Sequence, residues 1–433
     1  MLVALREYEH EDAVLPDRAV SDLVLAAGDR LRVGATAVPG TVRITASSYV
    51  GTIVTPDVEV RVRPKVPLEN LFLMLDVGLP PDAWRAETAL FGTDRDLLPA
   101  VALFFARTLE RTLASGLLRS YRSENDRLVA LRGRIDLPAQ LRHPGLETPI
   151  ACAFEEYTAD IIENRYLKSA VRRLLRVPRV SGIARRGLLQ QLARFEEVAG
   201  VSVEPDATDR MHFTRINQHY RPSLRLARIV LENLTLTDRE GSAPSTSFMI
   251  DMNDLFQRFL ADRLRRALHG TLRVVEEPTT YLDVEQQVRM YPDLVFSRNG
   301  RTVYVGDAKY KLSDSGLARN ADYYQLLAYT TALGLPAGIL VYCQADGEEP
   351  ARSITTIRAG KRLVTYPLDL SGPCMAVEAS VVRLASAIIA SCVPVPSRSN
   401  SAMSPTVLGA DVRLTPTESA GRISPLAAQS TAS

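Results

Sequence analysis

Apolar residues change their spacing twice along this chain, and no other feature of the sequence restricts the fold as much. Up to about residue 67 they alternate with polar residues, as Val58, Val60 and Val62 do, which is the pattern of a half-buried strand. From about residue 68 to 240 they recur at every third or fourth position, which is typical of amphipathic helices. Helical and strand-like segments then follow one another from about residue 248. Three different patterns in one chain predict a multidomain α+β protein.

The length of 433 residues also favours several domains, because single hydrophobic cores rarely grow beyond about 250–300 residues. We predict a β-rich N-terminal domain, a mainly helical middle region, a C-terminal α/β domain and a disordered tail, over residues 1–67, 68–240, 248–393 and 394–433. The tail is rich in Ser, Thr, Pro and Ala and has few large apolar residues, so it should not bury enough surface to fold.

Within these regions the periodicity predicts individual elements. Residues 49–55 are expected to pair with the strand at 58–63, which Pro64 ends. The middle region is expected to contain helices at 70–75, 97–118, 160–175, 187–198 and 222–234, with an inserted strand pair at 121–136 that bends at Gly133. The C-terminal domain is expected to contain helices at 249–268, 317–334 and 375–390 and strands at 272–277, 291–297, 302–309 and 337–342.

The composition excludes several classes of protein. Hydrophobic residues make up 46% and charged residues 24% of the chain, and the net charge is +2, as in soluble globular proteins. There is no apolar run long enough for a membrane span and no secretory signal, so a cytoplasmic protein without membrane attachment is expected. The four cysteines and five histidines lack the spacing of zinc, iron–sulfur or disulfide frameworks.

The segment that says most about chemistry lies at residues 291–311. Two strand-like runs flank Asn299-Gly300, a dipeptide that strongly favours a β-hairpin. Asp293 begins the first run and Asp307 ends the second, so pairing of the runs places both carboxylates at the same end. Lys309 lies two residues after Asp307 and therefore on the same face of its strand. The sequence thus predicts two carboxylates and one ammonium group close together.

This combination suits hydrolysis of a phosphodiester. Paired carboxylates hold Mg²⁺ through a few protein ligands and leave positions for a phosphate oxygen and a nucleophilic water. A lysine can orient or deprotonate that water and offset charge on the phosphate. Only five of the 52 basic residues are lysines, so Lys309 places a rare compact ammonium where this chemistry needs one. The motif is short, however, and on its own it also fits an ordinary hairpin.

The helix predicted after the hairpin carries Gln325 and Tyr329, which share a face because they are four residues apart. Such a helix also fits simple packing against the sheet. In combination with the strands, these segments resemble the PD-(D/E)xK nucleases, in the branch with a trailing Gln-x-x-x-Tyr motif. More specifically, the chain resembles the McrC family, the nuclease subunits of the McrBC modified-cytosine restriction system.

The resemblance extends over most of residues 45–345 and does not depend on the nuclease motif alone. It also includes five weaker motifs in the family's order: Gly51-Thr-Ile-Val, Val60-Arg-Val-Arg-Pro-Lys65, Leu131-Arg-Gly-Arg-Ile135, Glu163-Asn-Arg-Tyr-Leu-Lys168 and Asp251-Met-Asn-Asp-Leu-Phe256. It implies a nuclease-like C-terminal domain with the catalytic residues Asp293, Asp307, Lys309, Gln325 and Tyr329. The implied ligands of Mg²⁺ are Asp293, Asp307 and the backbone carbonyl of Ala308.

The resemblance also implies partners. A McrB-like AAA+ GTPase ring would recognise the modified cytosine, and the N-terminal domain would dock on that ring and stimulate its GTPase. Double-stranded DNA would be the substrate, and two such complexes would dimerise through the nuclease domain. The chain has no Gly-x-x-x-x-Gly-Lys-Ser/Thr motif of its own, since Gly360-Lys361 lacks the first glycine and the hydroxyl residue. GTP hydrolysis is therefore expected in the partner.

One position departs from the family. Gln257 stands where a glutamate is common, on the helix that opens the nuclease domain. An amide can bind a metal ion through its oxygen, so Gln257 remains a candidate ligand, but it supplies no charge. Asp254 or Glu277 could provide a third acidic group instead. This departure motivates one alternative, a catalytically weakened binding and activating subunit of the same complex. A second alternative is a stand-alone DNA nuclease of the repair type, which would share the nuclease motif but need no ring partner.

Overall fold

The computed structural model describes residues 1–75, 97–143, 145, 148–237, 244–310, 320–344 and 352–392. Residues Met1–Val393 form one compact unit. The tail predicted to be disordered and Lys311 lie outside the described residues.

The N-terminal region contains strands of two sheets. Its elements are β1 Leu2–Arg6, β2 His10–Val14, α1 Asp17–Ala27, β3 Leu31–Ala35, β4 Thr41–Ala46, β5 Tyr49–Val54, β6 Glu59–Arg63 and α2 Leu68–Met74. The antiparallel pairing of β5 with β6 confirms the predicted hairpin, and β1 joins it by running parallel to β6. Strands β2, β4 and β3 make an antiparallel sheet of their own. Helix α1 was not predicted; its buried face, with Ala19 and Leu23, packs into the core of this region.

The middle region is mainly helical, as predicted. Its elements are α3 Leu97–Thr112, β7 Ser120–Leu128, β8 Arg134–Ile135, α4 Leu137–Leu141, β9 Ile150–Thr158, α5 Ile162–Leu175, α6 Gly182–Arg194, α7 Arg221–Asn233 and β10 Leu234–Thr237. Two 3₁₀ turns, Pro205–Arg210 and Gln218–Tyr220, precede α7. Helices α3, α5, α6 and α7 enclose one apolar core. It includes the fully buried side chains of Phe105, Tyr166, Leu188 and Leu226. Burial of these faces accounts for the helical spacing of the sequence.

The inserted strands were predicted correctly, but their pairing was not. Strands β7 and β8 do not pair with each other; both pair antiparallel with β9, which lies between them. The chain does bend at Gly133, where φ is 71°. Strand β9 begins more than twenty residues after β7 ends. Because of this separation, the local sequence pattern does not indicate that β7 pairs with β9.

The helix predicted at 249–268 begins later than expected. Residues Ser245–Asp251 form strand β11, and helix α8 spans Met252–Ala267, with the Asp251 side chain accepting a hydrogen bond from the Asn253 N–H at 2.9 Å. Strand β11 pairs antiparallel with both β10 and β5. The backbones of β5 and β11 come so close that a Cβ on Gly51 would lie 2.0 Å from the Phe248 carbonyl oxygen. The chain therefore returns to the N-terminal sheet beyond the polar stretch that we expected to separate the domains.

The C-terminal region is built on a mixed sheet. Its remaining elements are β12 Arg273–Glu276, β13 Thr280–Tyr281, β14 Arg289–Met290, β15 Leu294–Arg298, β16 Arg301–Lys309, α9 Asn320–Ala332, β17 Ala337–Gln344, β18 Ser353–Thr356, β19 Arg362–Asp369 and α10 Cys374–Ser391. Among the described residues the strand order is β12-β15-β16-β17-β19-β18, with β16, β17 and β19 parallel. The predicted helices and strands are present in the predicted order, but an additional antiparallel pair, β13 and β14, lies between β12 and β15.

Helices cover both faces of this sheet, which explains its nearly continuous apolar strands. One face, with Leu294 and Phe296, packs into the main core that also contains residues of α8 and α10. The opposite face, with Val295 and Val305, packs against Leu326 and other residues of α9. Successive strand residues alternate between these two faces, so Asp293, Asp307 and Lys309 share the face covered by α9.

The last helix, α10, also ties the C-terminal region to the N-terminal one. The fully buried Asn70 of α2 donates its amide hydrogens to the carbonyls of Leu370 and Gly372, both at 2.7 Å, just before α10 begins. Helix α10 is long and apolar enough to cross a membrane. Core helices of soluble proteins can have the same length and composition. Its residues Val377, Leu384 and Ile388 are buried in the main core.

Candidate active site

The β15–β16 hairpin brings the two predicted carboxylates together. Asn299 and Gly300 both have positive φ angles, 50° and 77°, as a tight hairpin turn requires. Leu294 is paired with Gly306, so Asp293 and Asp307 occupy the next position on each strand. Oδ2 of Asp293 accepts a hydrogen bond from the backbone N–H of Ala308 at 2.8 Å. The contact fixes the backbone between Asp307 and Lys309.

Asp307 is the most deeply buried member of the group, with 0% of the residue exposed. The ammonium nitrogen of Lys309 lies 2.7 Å from its Oδ2 and forms an ion pair. Neither carboxylate oxygen, however, receives a hydrogen bond of regular geometry from any residue that the structure describes. Carboxylates buried in proteins normally have such partners, so Asp307 has unused capacity to bind a cation.

Burial governs the protonation of this group. Burial, followed by the charge of Asp307, raises the pKa of Asp293 to about 7, although the Ala308 N–H opposes the rise. Burial also raises the pKa of Asp307, against the attraction of Lys309. For Lys309, burial alone lowers the pKa, but Asp307 and the other nearby carboxylates outweigh it and raise the pKa overall. Lys309 is therefore a cation at neutral pH.

Gln325 and Tyr329 lie on one face of α9, next to the backbone segment that leads into Asp293. The amide of Gln325 donates to the Tyr329 hydroxyl at 2.8 Å, and that hydroxyl donates to the carbonyl oxygen of Tyr291 at 3.1 Å. Burial raises the pKa of Tyr329 to about 12, so its hydroxyl keeps its proton for this contact. The pair thus holds the segment that leads into Asp293 and does not itself contact either carboxylate through these bonds.

Of the three residues considered as a further ligand, two lie at the edge of the site. The Gln257 amide donates to Oε1 of Glu277 at 2.7 Å, and the Glu277 N–H donates to the Asp293 carbonyl at 3.2 Å. Asp254 instead forms an ion pair with Arg258 at 2.9 Å. Gln257 and Glu277 are therefore connected to Asp293 through its backbone, whereas Asp254 is engaged elsewhere.

Asp322, in the first turn of α9, was missed by the sequence interpretation. It is 3% exposed and accepts a hydrogen bond from the Tyr342 hydroxyl at 2.8 Å. Its negative charge raises the pKa of both Asp307 and Lys309, which places it close to the predicted group. The available signal was its position three residues before Gln325, one turn earlier on the same side of the helix.

These residues suit a magnesium ion better than a metal that needs a full protein cage. Among the described residues no three His, Cys, Asp or Glu side chains are grouped as a metal site would require. Magnesium commonly takes one or two carboxylates and completes its coordination with water and substrate oxygens. The carboxylates of Asp293 and Asp307 and the Ala308 carbonyl fit this requirement.

An acidic pair with a lysine, buried at one end of a mixed sheet, is compatible with a hydrolase site. The family comparison then gives a particular assignment. A family model described as "McrBC 5-methylcytosine restriction system component" matches residues 44–343. Because the match covers more than half of the chain, the chain belongs to this family. The resemblance to McrC inferred from the motifs is confirmed.

Two solved structures from Thermococcus gammatolerans are similar to this chain. One is a refined half-complex from a tetradecameric assembly of McrB AAA+ hexamers with bound McrC; the match has 21% identity and a TM-score of 0.57 and covers 90% of this chain and 100% of that chain. The other is a cryo-EM structure of the McrBC complex, with 21% identity, a TM-score of 0.42 and coverage of 62% and 89%. The first similarity shows a shared fold. Comparison with curated proteins gives no match.

Proposed function

We propose that this chain is the Mg²⁺-dependent DNA endonuclease subunit of a restriction complex that cleaves DNA containing modified cytosine. One observation carries the proposal: Asp307 is completely buried beside the Lys309 ammonium, and neither of its oxygens has a regular hydrogen bond among the described residues. The Lys309 ammonium balances one negative charge, but Asp293 and Asp307 lie close enough to repel each other, and a divalent cation would offset the charge of both carboxylates. An ordinary structural hairpin has no need of such a group.

The residues divide the work of hydrolysis between them. Asp293, Asp307 and the Ala308 carbonyl would hold Mg²⁺, which when bound polarises the phosphate and lowers the pKa of a water. Because Asp307 and the other nearby carboxylates raise the pKa of Lys309, its ammonium would offset negative charge on the scissile phosphate. Tyr329 holds the Tyr291 carbonyl and thereby steadies the approach to Asp293. Double-stranded DNA is the proposed substrate.

The proposed partner is a McrB-like AAA+ GTPase ring, whose hydrolysis this chain would stimulate. Family membership supports this, and so does the similar assembly, in which McrC is bound to McrB AAA+ hexamers. A further support is a group of exposed apolar side chains on and beside the β7–β9–β8 sheet: Tyr121, Val129, Leu131, Leu137 and Leu141, which are 55–85% exposed. Apolar groups of this kind mark interaction surfaces. Docking through residues 1–67 remains a prediction.

The proposal is tested with the complex reconstituted from this chain and its AAA+ partner. Methylated and unmethylated plasmids are incubated with GTP and Mg²⁺, and both DNA cleavage and GTP hydrolysis are measured. We expect cleavage of the methylated plasmid alone, and its complete loss on removal of Mg²⁺ with a chelator. Asp307→Ala should abolish cleavage but keep the stimulated GTPase, whereas Val129→Asp should lose the GTPase stimulation. Cleavage that persists in Asp307→Ala contradicts the assignment of the site.

A second function is favoured by one specific observation. Gln257 supplies an amide where the family commonly has an acid, and the described residues contain no third ligand grouped with Asp293 and Asp307. Both facts fit a subunit that binds and activates the GTPase but cuts DNA weakly. Robust Mg²⁺-dependent cleavage by the reconstituted complex excludes this alternative. A stand-alone repair nuclease would instead cut DNA without the partner or GTP.

A further inference from the structure

Glu7 lies in an unusual place for an acidic residue. It follows β1 directly, is 1% exposed, and sits where the N-terminal sheet meets the end of β16. Its Oε1 accepts two hydrogen bonds at 3.1 Å, one from the Tyr310 hydroxyl and one from the backbone N–H of Lys65. Its own N–H donates to the Arg63 carbonyl at 3.3 Å. The Pro64-Lys65 motif therefore contributes a backbone donor that holds Glu7 in the interior.

Tyr310 connects Glu7 to the candidate active site. It is the residue immediately after Lys309 and is 3% exposed. Because successive strand residues alternate, its ring lies on the face opposite Lys309, toward α8. There it packs against Phe256, with 5.9 Å between ring centroids, and Phe256 directly precedes Gln257. One tyrosine thus contacts the N-terminal turn, the strand of Asp307 and Lys309, and the helix of Gln257.

The polar contact is costly for a purely structural joint. Burial raises the pKa of Glu7 to about 7, although the Lys65 N–H, the Tyr310 hydroxyl and the Lys65 charge all lower it. The other groups that interact electrostatically with Tyr310 at this joint are Tyr8 and Cys343. The second carboxylate oxygen of Glu7, Oε2, is buried without a hydrogen-bond partner in the described part of the chain. Apolar side chains of similar size would fill the same space without that cost, but would not fix the direction of the Tyr310 hydroxyl.

We propose that Glu7 and Tyr310 are positioning residues for DNA cleavage: their hydrogen bond fixes the end of β16 against the N-terminal turn and so keeps Lys309 in place beside Asp307. The inference rests on the proposed nuclease function and deepens it, because it makes the rate of cleavage depend on a contact with the N-terminal region. Neither residue contacts the reacting groups.

The test uses the full chain in its reconstituted complex. Tyr310→Phe removes only the hydroxyl, and Glu7→Ala removes the acceptor. Each should lower the kcat of cleavage roughly 10-fold, as loss of one buried hydrogen bond allows, while KM for DNA and stimulation of the partner's GTPase stay unchanged. Glu7→Gln keeps the accepting oxygen and should restore cleavage to within about 3-fold of the natural chain. A structural defect alone would not be rescued so selectively.

Tyr166→Phe is the matched control. Tyr166 is 0% exposed and donates one hydrogen bond, to the Pro205 carbonyl at 2.6 Å, in the middle region. We expect a similar loss of thermal stability in Tyr166→Phe and Tyr310→Phe, but slower cleavage only in Tyr310→Phe. If Glu7→Ala does not fold, Tyr310→Phe and Glu7→Gln carry the test.

Three results would count against the inference. Cleavage by Tyr310→Phe at the natural rate overturns it and leaves the proposed function intact. Equal loss of cleavage in Tyr310→Phe and Tyr166→Phe also overturns it, because the effect is then one of general stability. A natural complex that does not cut DNA at all overturns the proposed function and this inference together.

Discussion

Asp160 and Asp307 are two carboxylates with little exposure to solvent, and their surroundings shift their pKa values in opposite directions. Asp160, between β9 and α5, accepts hydrogen bonds from Arg165 at 2.6 and 2.7 Å, from Arg122 at 2.8 Å and from the Ala199 N–H at 2.8 Å. The bond from Arg165, above all, lowers its pKa despite burial. Asp307 is more deeply buried, its ion pair is with the Lys309 ammonium, and burial raises its pKa.

The difference separates a carboxylate that stabilises the fold from one that is kept available. At Asp160 the arginines and a backbone N–H use the oxygens fully, so nothing remains for a ligand. Lysines show the same contrast. Lys168 donates to the carbonyls of Phe195 and Val198, and Lys361 to those of Thr330 and Leu335, whereas Lys309 faces a carboxylate in the site. Lys168 and Lys361 therefore stabilise the backbone of their surroundings. The small number of lysines in the chain does not by itself identify a functional one.

The largest expected effect is on cleavage by Asp307→Asn. We expect the rate to fall by roughly 10³-fold or more, because metal-based charge stabilisation contributes several kcal/mol. The free energy of unfolding without Mg²⁺ should fall by no more than about 1 kcal/mol, because a costly buried charge is removed while Asp293 and Asp322 remain near the Lys309 ammonium. Plasmid cleavage and urea unfolding measure the two quantities. A large loss of stability would make Asp307 a structural residue like Asp160.

The reciprocal change, Asp160→Asn, should affect stability instead. Its side chain is 15% exposed, and Arg122 and Arg165 would lose its negative charge, so the free energy of unfolding should fall by roughly 2–3 kcal/mol. Cleavage per folded molecule should remain within about twofold of the natural chain. Asp206→Asn is the control, because its ion pair with Arg210 is 60–72% exposed and should contribute under about 0.5 kcal/mol. Equal effects at both positions would remove the distinction drawn for Asp160.

Asp293, the neighbour of Asp307, and Asp160 should also make the free energy of unfolding depend on pH in opposite directions. The pKa of Asp293 is raised to about 7, so the folded chain holds a proton that the unfolded chain releases near pH 4. Its contribution is therefore complete below about pH 4 and is lost as the pH rises to about 7. The pKa of Asp160 is lowered, so its contribution is present above about pH 4 and is lost as the pH falls further.

Thermal unfolding of the natural chain, Asp293→Asn and Asp160→Asn between pH 4 and 8 without Mg²⁺ measures this difference. Asp293→Asn should gain stability relative to the natural chain as the pH rises to about 7, and then show a constant difference. Asp160→Asn should be least stable relative to the natural chain near neutral pH. Parallel curves for both variants would mean that the two environments do not differ as described.

The site could be predicted from sequence largely because its parts are local. The turn at Asn299-Gly300 sets the register that aligns Asp293 with Asp307, and strand alternation places Lys309 on the same face. The environment of these groups could not be predicted, since it depends on residues distant in the chain. Asp322 reaches the site only when α9 packs on the sheet, and Glu7 meets Tyr310 across 303 positions.

The errors in the fold have the same origin. Strand β11 pairs with β5 nearly two hundred residues earlier, while its apolar residues run directly into the periodicity of α8, so a local reading assigned part of it to the helix. Strands β7 and β8 were recognised, but β9, which separates them, lies further along the chain. Most elements with a strong local pattern were found, although α1 was missed, and pairings over long sequence distances were not predicted.

The smallest expected effect concerns the position that departs from the family. Gln257→Glu restores an acid opposite Glu277, which is exposed and linked to the Asp293 carbonyl through its own N–H. Added negative charge near the site attracts a cation, but it also repels Glu277, so the Mg²⁺ concentration for half-maximal cleavage should fall only about 3–10-fold. Gln257→Ala is the control and should not lower that concentration. If Gln257→Glu leaves the requirement for Mg²⁺ unchanged, this position contributes nothing to the metal site, and Asp293 and Asp307 suffice to hold the ion.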